Sequence, residues 1–158
     1  MPALSNSLII IGFKAAGKTT LGKNLAHVLT LPCCDLDELI LKKMGYLDIQ
    51  TLSRELGFVE FRHHELLMVK ELSLIPQPMI ISTGGGVVLN DELMRCLQEM
   101  GKIVFLHTAF EHIEERLFHD KNEILYLNQS INRAALRAIY QNRLPRYMAY
   151  ADIVIGGD

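Results

Sequence analysis

The run Leu8–Ile11 is apolar, the residues after Lys18 have helical periodicity, and between them lies GFKAAGKT, residues Gly12–Thr19. These eight residues match G-x-x-x-x-G-K-[ST], with Gly12, Gly17, Lys18 and Thr19 at the defining positions. A chance match in a chain of this length is on the order of one in a few hundred. The glycines let the backbone curl so that successive N–H groups point inward. The helix starting near Lys18 adds unpaired N–H groups and the positive end of its dipole. Such a cradle takes phosphate oxygens. Lys18 then places a point charge on the β- and γ-phosphates, and the Thr19 hydroxyl is a ligand for Mg²⁺.

A loop of this type needs a strand before it and a helix after it, and the rest of the chain repeats that alternation. Strands are predicted over Leu8–Gly12, Pro32–Asp35, Met79–Thr83, Lys102–His107 and Asp152–Ile155. Most are apolar throughout, as strands covered on both faces are. Helices are predicted over Lys18–Thr30, Glu60–Leu74, from Asn90 to Gly101, Ala109–Phe118 and Ile131–Tyr150. The polar stretch His119–Ser130 has no clear period and is the place for a mobile lid, about 119–130. The class is α/β with a parallel sheet, and 158 residues make one domain, 1–158.

Composition narrows the partners. The chain is 49% apolar and 22% charged with a net charge of −2. That balance favours neither nucleic acid nor an anionic membrane surface, so an anionic ligand must be held by a local cluster of donors. The start, Met1–Ser7, is not basic and does not read as a signal peptide. Three cysteines without framework spacing read as free thiols, which places the protein in the cytoplasm. Cys33 and Cys34 point to opposite faces of a strand, with Cys33 in the core. No histidine or cysteine spacing suits a metal site.

The remaining polar signals fall at strand ends, where α/β proteins bind ligands. Asp35-Leu36-Asp37 closes the second strand. Two carboxylates at i and i+2 of an extended segment face one way, one for a Mg²⁺ shell and one to accept a proton. The bland alternative is a solvated strand end, with Asp37 capping the next helix. Thr83-Gly84-Gly85-Gly86 closes the third strand, and three glycines there fit close approach by a ligand or another backbone. Arg62 and Glu65, at i and i+3 of one helix, can pair and orient the guanidinium.

Together the phosphate loop, D-x-D, F-R-x-x-E (Phe61, Arg62, Glu65), G-G-G and R-x-P-x-Y (Arg143, Pro145, Tyr147) resemble the shikimate kinases in order and spacing over nearly the whole chain. The resemblance implies a three-layer P-loop kinase fold with a five-stranded parallel sheet of order 2-3-1-4-5 and a mobile lid. It implies ATP bound by Gly12, Ala15, Ala16, Gly17, Lys18, Thr19, Thr20 and Arg116, with Mg²⁺ held by Thr19 and Asp35. Asp37 would be the base on the shikimate 3-hydroxyl, with Lys18 as the other catalytic residue. Shikimate would contact Asp37, Phe61, Arg62, Gly84, Gly85, Gly86 and Arg143, with an acceptor region over about 36–74. The product would be 3-phosphoshikimate, in aromatic amino acid biosynthesis, made by a monomer.

The chain departs from the family pattern in three places. The lid reads Glu123-Ile124-Leu125 where the family places an arginine seven residues after the one matched by Arg116, which leaves Lys121 as the candidate for that charge. Gly57-Phe58 replaces the usual G-E, and the chain ends ahead of the segment that completes the adenine pocket. Two other readings stay open: a related kinase acting on gluconate or a nucleotide, and a nucleotide-binding homologue without catalysis.

Overall fold

The computed structural model describes residues 6–126 and 129–157. In chain order the elements begin with β1 (Ser7–Ile11), α1 (Lys18–Leu29), β2 (Cys33–Asp35), α2 (Leu36–Met44), α3 (Ile49–Leu56), α4 (Phe58–Ser73) and β3 (Ile80–Ser82). A single 3-10 turn, Val87–Leu89, leads into α5 (Asp91–Met100), β4 (Gly101–Thr108) and α6 (Phe110–Phe118). The chain continues through β5 (Glu123–Tyr126), β6 (Gln129–Asn132), α7 (Arg133–Tyr150) and β7 (Ile153–Gly157). Five strands form a parallel sheet in the order β2-β3-β1-β4-β7. That is the expected 2-3-1-4-5 order once the separate β5–β6 hairpin is set aside.

β1 is central and reads Ser-Leu-Ile-Ile-Ile because both its faces are covered. Ile9 and Ile11 join the core built with α4, α5 and α7, while Ile10 packs with Leu21, Leu25 and Leu29 of α1. All three isoleucines are fully buried, which stabilises the fold by roughly 1.5–3 kcal/mol each. The sheet thereby lies between α1 on one face and α4, α5 and α7 on the other, and the phosphate loop sits at the end of the best-held strand.

Three local expectations are corrected. Asp35 ends β2, but α2 starts at Leu36, so Asp35 is the N-cap, its Oδ1 accepting from the Glu38 N–H at 3.1 Å. Asp37 therefore lies in the first helical turn, and the two carboxylates are not an extended i, i+2 pair. Ile131 belongs to β6, not to a helix; α7 begins at Arg133, capped by Asn132, whose Oδ1 accepts from the Ala135 N–H at 2.9 Å. Cys33 is exposed and Cys34 packs against the core, on the edge strand β2.

The stretch read as an irregular lid is an antiparallel hairpin with Ile124 paired to Ile131 and Tyr126 to Gln129. Residues 127 and 128 lie outside the described residues, as do residues 1–5 of the start. Ile124 and Tyr126 turn inward while Glu123 and Leu125 are exposed. The outward leucine hides the alternation in the sequence.

One junction carries a measurable cost. Thr30 closes α1 at φ 53°, and Leu31 N–H donates to the Ala26 carbonyl at 3.0 Å. A β-branched residue in left-handed backbone costs about 1 kcal/mol or more relative to glycine. Thr30→Gly is therefore expected to stabilise the protein by about 1 kcal/mol in urea unfolding, with turnover unchanged. An unmoved or lower midpoint would refute that account of the cap.

Candidate active site

The C-terminal ends of β1, β2 and β3 open into a cavity of about 410 Å³. Its wall contains Lys14, Ala15, Gly17, Lys18, Thr19 and Thr20 from the phosphate loop and the start of α1, with Asp35 and Asp37 opposite. Phe61 and Arg62 of α4, Thr83 to Gly86 after β3, and Arg143 of α7 complete the acceptor-facing part. The hairpin adds Tyr126, and α3 adds Ile49 and Gln50.

The loop is wound tightly. Gly17 has φ 103° and Ala15 φ 62°, both left-handed. Lys18 folds back over the turn, its Nζ donating to the carbonyls of Gly12 and Phe13 at 2.8 Å each. Burial pushes the Lys18 ammonium down to about 8, against the pull of Asp37 and Asp35. Thr19 Oγ1 donates to Asp35 Oδ2 at 2.9 Å, so two hard oxygen donors already converge beside the cradle.

Asp37 faces this group from α2. Burial raises its carboxyl from 3.8 to about 6, Asp35 adds to the rise, and Lys18, Arg62 and Lys14 oppose it. Glu65 is fully buried and accepts from Arg62 Nη1, which fixes the fork in one direction. Burial raises the Glu65 carboxyl despite that guanidinium. Asp37 Oδ1, Arg62 Nε and Glu65 Oε2 are buried without a hydrogen-bond partner among the described residues. Asp37 and Arg62 line the cavity, whereas Glu65 does not, so the orphaned atoms of those two mark a polar ligand's place, because each is costly to leave unpaired.

The glycines after β3 are explained by what crowds them. A Cβ on Gly84 would stand 3.0 Å from Asp37 Oδ1, and one on Gly86 would overlap the Arg62 guanidinium. The R-x-P-x-Y segment serves the same corner from α7. Arg143 and Tyr147 share a helix face at i, i+4; Arg143 is buried, 5.9 Å from the Phe13 ring, and the Tyr147 hydroxyl donates to the Gly85 carbonyl.

Of the residues read from the sequence, Ala15, Gly17, Lys18, Thr19, Thr20, Asp35, Asp37, Phe61, Arg62, Gly84, Gly85, Gly86 and Arg143 meet in this one cavity. Gly12 and Ala16 lie behind it: Gly12 offers its carbonyl to Lys18, and Ala16 accepts from the Thr108 hydroxyl at 2.9 Å. Arg116 stands outside, exposed, its Nη1 donating to the Ala15 carbonyl at 2.7 Å. Lys121 and Glu123 are also exposed and outside the wall, so neither lid charge reaches the cavity here. The sequence carries no signal that marks Lys14, Ile49, Gln50 or Tyr126 as site residues. Lys14 occupies a free position of the loop motif, and Tyr126 enters only because the hairpin folds over the site.

A shikimate kinase family model matches residues 14–158. A shikimate kinase of Dictyoglomus turgidum is 35% identical over 159 residues, covering 98% of this chain and 90% of that protein. The structure of shikimate kinase from Acinetobacter baumannii in complex with shikimate superposes with a TM-score of 0.83 at 27% identity, over 97% of this chain and 84% of that one. Shikimate kinase from Aquifex aeolicus gives 0.78 at 30% identity, over 96% and 86%.

Proposed function

The chain belongs to the shikimate kinase family, and on that premise we infer that it transfers the γ-phosphoryl group of ATP to the 3-hydroxyl of shikimate, giving 3-phosphoshikimate and ADP. One observation carries the reading beyond kinship. The phosphate cradle faces the unpartnered Asp37 and Arg62 atoms across a single cavity, so donor and acceptor can meet there.

In this reading the backbone N–H groups of the loop, with Lys18, hold the terminal phosphates. Thr19 and Asp35 would hold Mg²⁺, which supplies charge neutralisation at the β- and γ-phosphate oxygens. Arg62 and Arg143 grip the shikimate carboxylate through their planar forks, and Phe61 and the glycines bound the ring. Asp37 takes the 3-hydroxyl proton as the acceptor oxygen attacks. Much of the rate comes from holding the two partners in line.

Arg62→Lys is expected to raise the shikimate KM about tenfold, since a point charge cannot replace a fork already oriented by Glu65. Unchanged acceptor affinity in that variant would remove Arg62 from the site.

All three cysteines are free, Cys33 exposed and Cys34 and Cys96 half-buried, and no helix among the described residues is long and apolar enough to cross a membrane. From the free thiols we read the protein as cytoplasmic, and we propose that it acts on small molecules as a monomer. The deciding experiment is ADP release with Mg·ATP across a panel of hydroxylated acids. Shikimate should give the fastest turnover; faster turnover of gluconate or a nucleotide, or none with any acceptor, would overturn the reading.

A further inference from the structure

The cavity contains four cationic side chains, and the roles above use three of them. Lys18 rests on two loop carbonyls, Arg62 is paired with Glu65, and Arg143 is buried over the Phe13 and Tyr126 rings. The fourth is Lys14. We infer that Lys14 is a further catalytic residue of this reaction, its ammonium contacting the phosphoryl group as that group passes from nucleotide to acceptor. This rests on the proposed function.

Position supports it first. Lys14 stands where the two ligand-binding turns touch: a Cβ on Gly85 would lie 3.2 Å from the Lys14 backbone nitrogen. Its side chain lines the cavity and does not run out to solvent, and Nζ lies 5.6 Å from the centroid of the buried Tyr126 ring. Lys14 and Asp37 also sense each other electrostatically. Burial lowers the Lys14 ammonium, while the Asp37 carboxylate pulls the other way, and Lys14 in turn opposes the rise at Asp37. Lys14 is thus within electrostatic reach of the proposed base, on the acceptor side of the cradle.

The chemistry of transfer needs charge there. The acceptor oxygen forms its bond to the γ-phosphorus as the bond to the bridging oxygen breaks. The hydroxyl proton goes to Asp37, and the bridging electron pair leaves with ADP. Through this exchange, negative charge stays spread over the three equatorial oxygens while they move toward the acceptor. Lys18 neutralises them at the nucleotide side, and a cation beside Asp37 meets them at the other. A lysine suits a moving target, being a compact charge on a flexible stem. The contact with the Tyr126 face keeps the ammonium in the cavity before substrate arrives, and is weak beside an ammonium–phosphate pair.

The test is steady-state turnover together with direct binding of shikimate and Mg·ATP by calorimetry, on folded wild-type, K14M, K14R and K14A proteins. K14M should lower kcat about 30-fold, less than the loss of a fully buried oxyanion donor because Lys14 is only partly buried, while both dissociation constants hold. K14R should recover most of the rate, and added ethylammonium should raise kcat of K14A without affecting wild type. A structural role would show neither rescue. Wild-type kcat in K14M, or a loss confined to shikimate affinity, would overturn the inference with the proposed function intact. A wild-type protein inactive on shikimate would overturn both.

Discussion

Asp37→Asn is expected to lower kcat about a thousandfold, because the amide cannot take the proton from the attacking hydroxyl. The carboxyl has been raised to about 6, chiefly by burial. A base must be ionised, so wild-type kcat/KM should rise with pH through about 6, and that limb should vanish in the variant. Stability should move in the opposite sense. The folded carboxyl holds its proton to higher pH than the ordinary value of 3.8, so the folded state loses ground as pH rises from about 4 to 6. Above that window the ionised Asp37 costs on the order of 2–3 kcal/mol. The variant should therefore resist urea better than wild type at pH 7 and equally near pH 4. Wild-type turnover in D37N, or a variant less stable at pH 7, would show that the base or its burial has been misassigned.

Lys18→Ala should reduce kcat/KM by about 10²–10³-fold, through loss of the charge on the terminal phosphates. The side chain is held over the turn by the Gly12 and Phe13 carbonyls, poised where phosphate would replace them. Burial lowers its ammonium to about 8. Only the charged form serves, so kcat/KM of the free enzyme should fall as pH rises through about 8, and the alanine variant should lack this basic limb. Nucleotide titration of the folded variant supplies the second readout; undiminished Mg·ATP affinity and turnover would place the phosphates elsewhere. Asp37 and Lys18 show one trade. Each is buried at a cost to the empty protein, and the ligand's charge and hydroxyls relieve both.

Much of the fold was legible along the chain because its signals are local. β1 shows as an apolar run since both faces are covered, and the glycine–lysine turn shows because only such backbone forms a phosphate cradle. The sheet order came from the family resemblance, and TM-scores near 0.8 agree with it. The two aspartates stand out in the sequence for a reason that is incomplete. Their spacing reads as an extended i, i+2 pair, whereas Asp35 caps α2 and Asp37 lies in its first turn. Both reach the cavity because the strand ends and the helix begins at its rim.

The residue types and their order in the sequence determined the phosphate loop and the parallel α/β class, since each depends on backbone conformation or burial period within a few neighbours, whereas Phe61 and Arg143 are assigned to the site only by the family resemblance. Only the folded chain decided that the hairpin brings Tyr126 over the site, that Lys121 and Glu123 stay outside it, and that Lys14 lines the cavity beside the Tyr126 ring. A side chain's direction at a free motif position, and the docking of a hairpin whose outer face carries both Glu123 and Leu125, depend on partners distant in sequence. No local pattern encodes them.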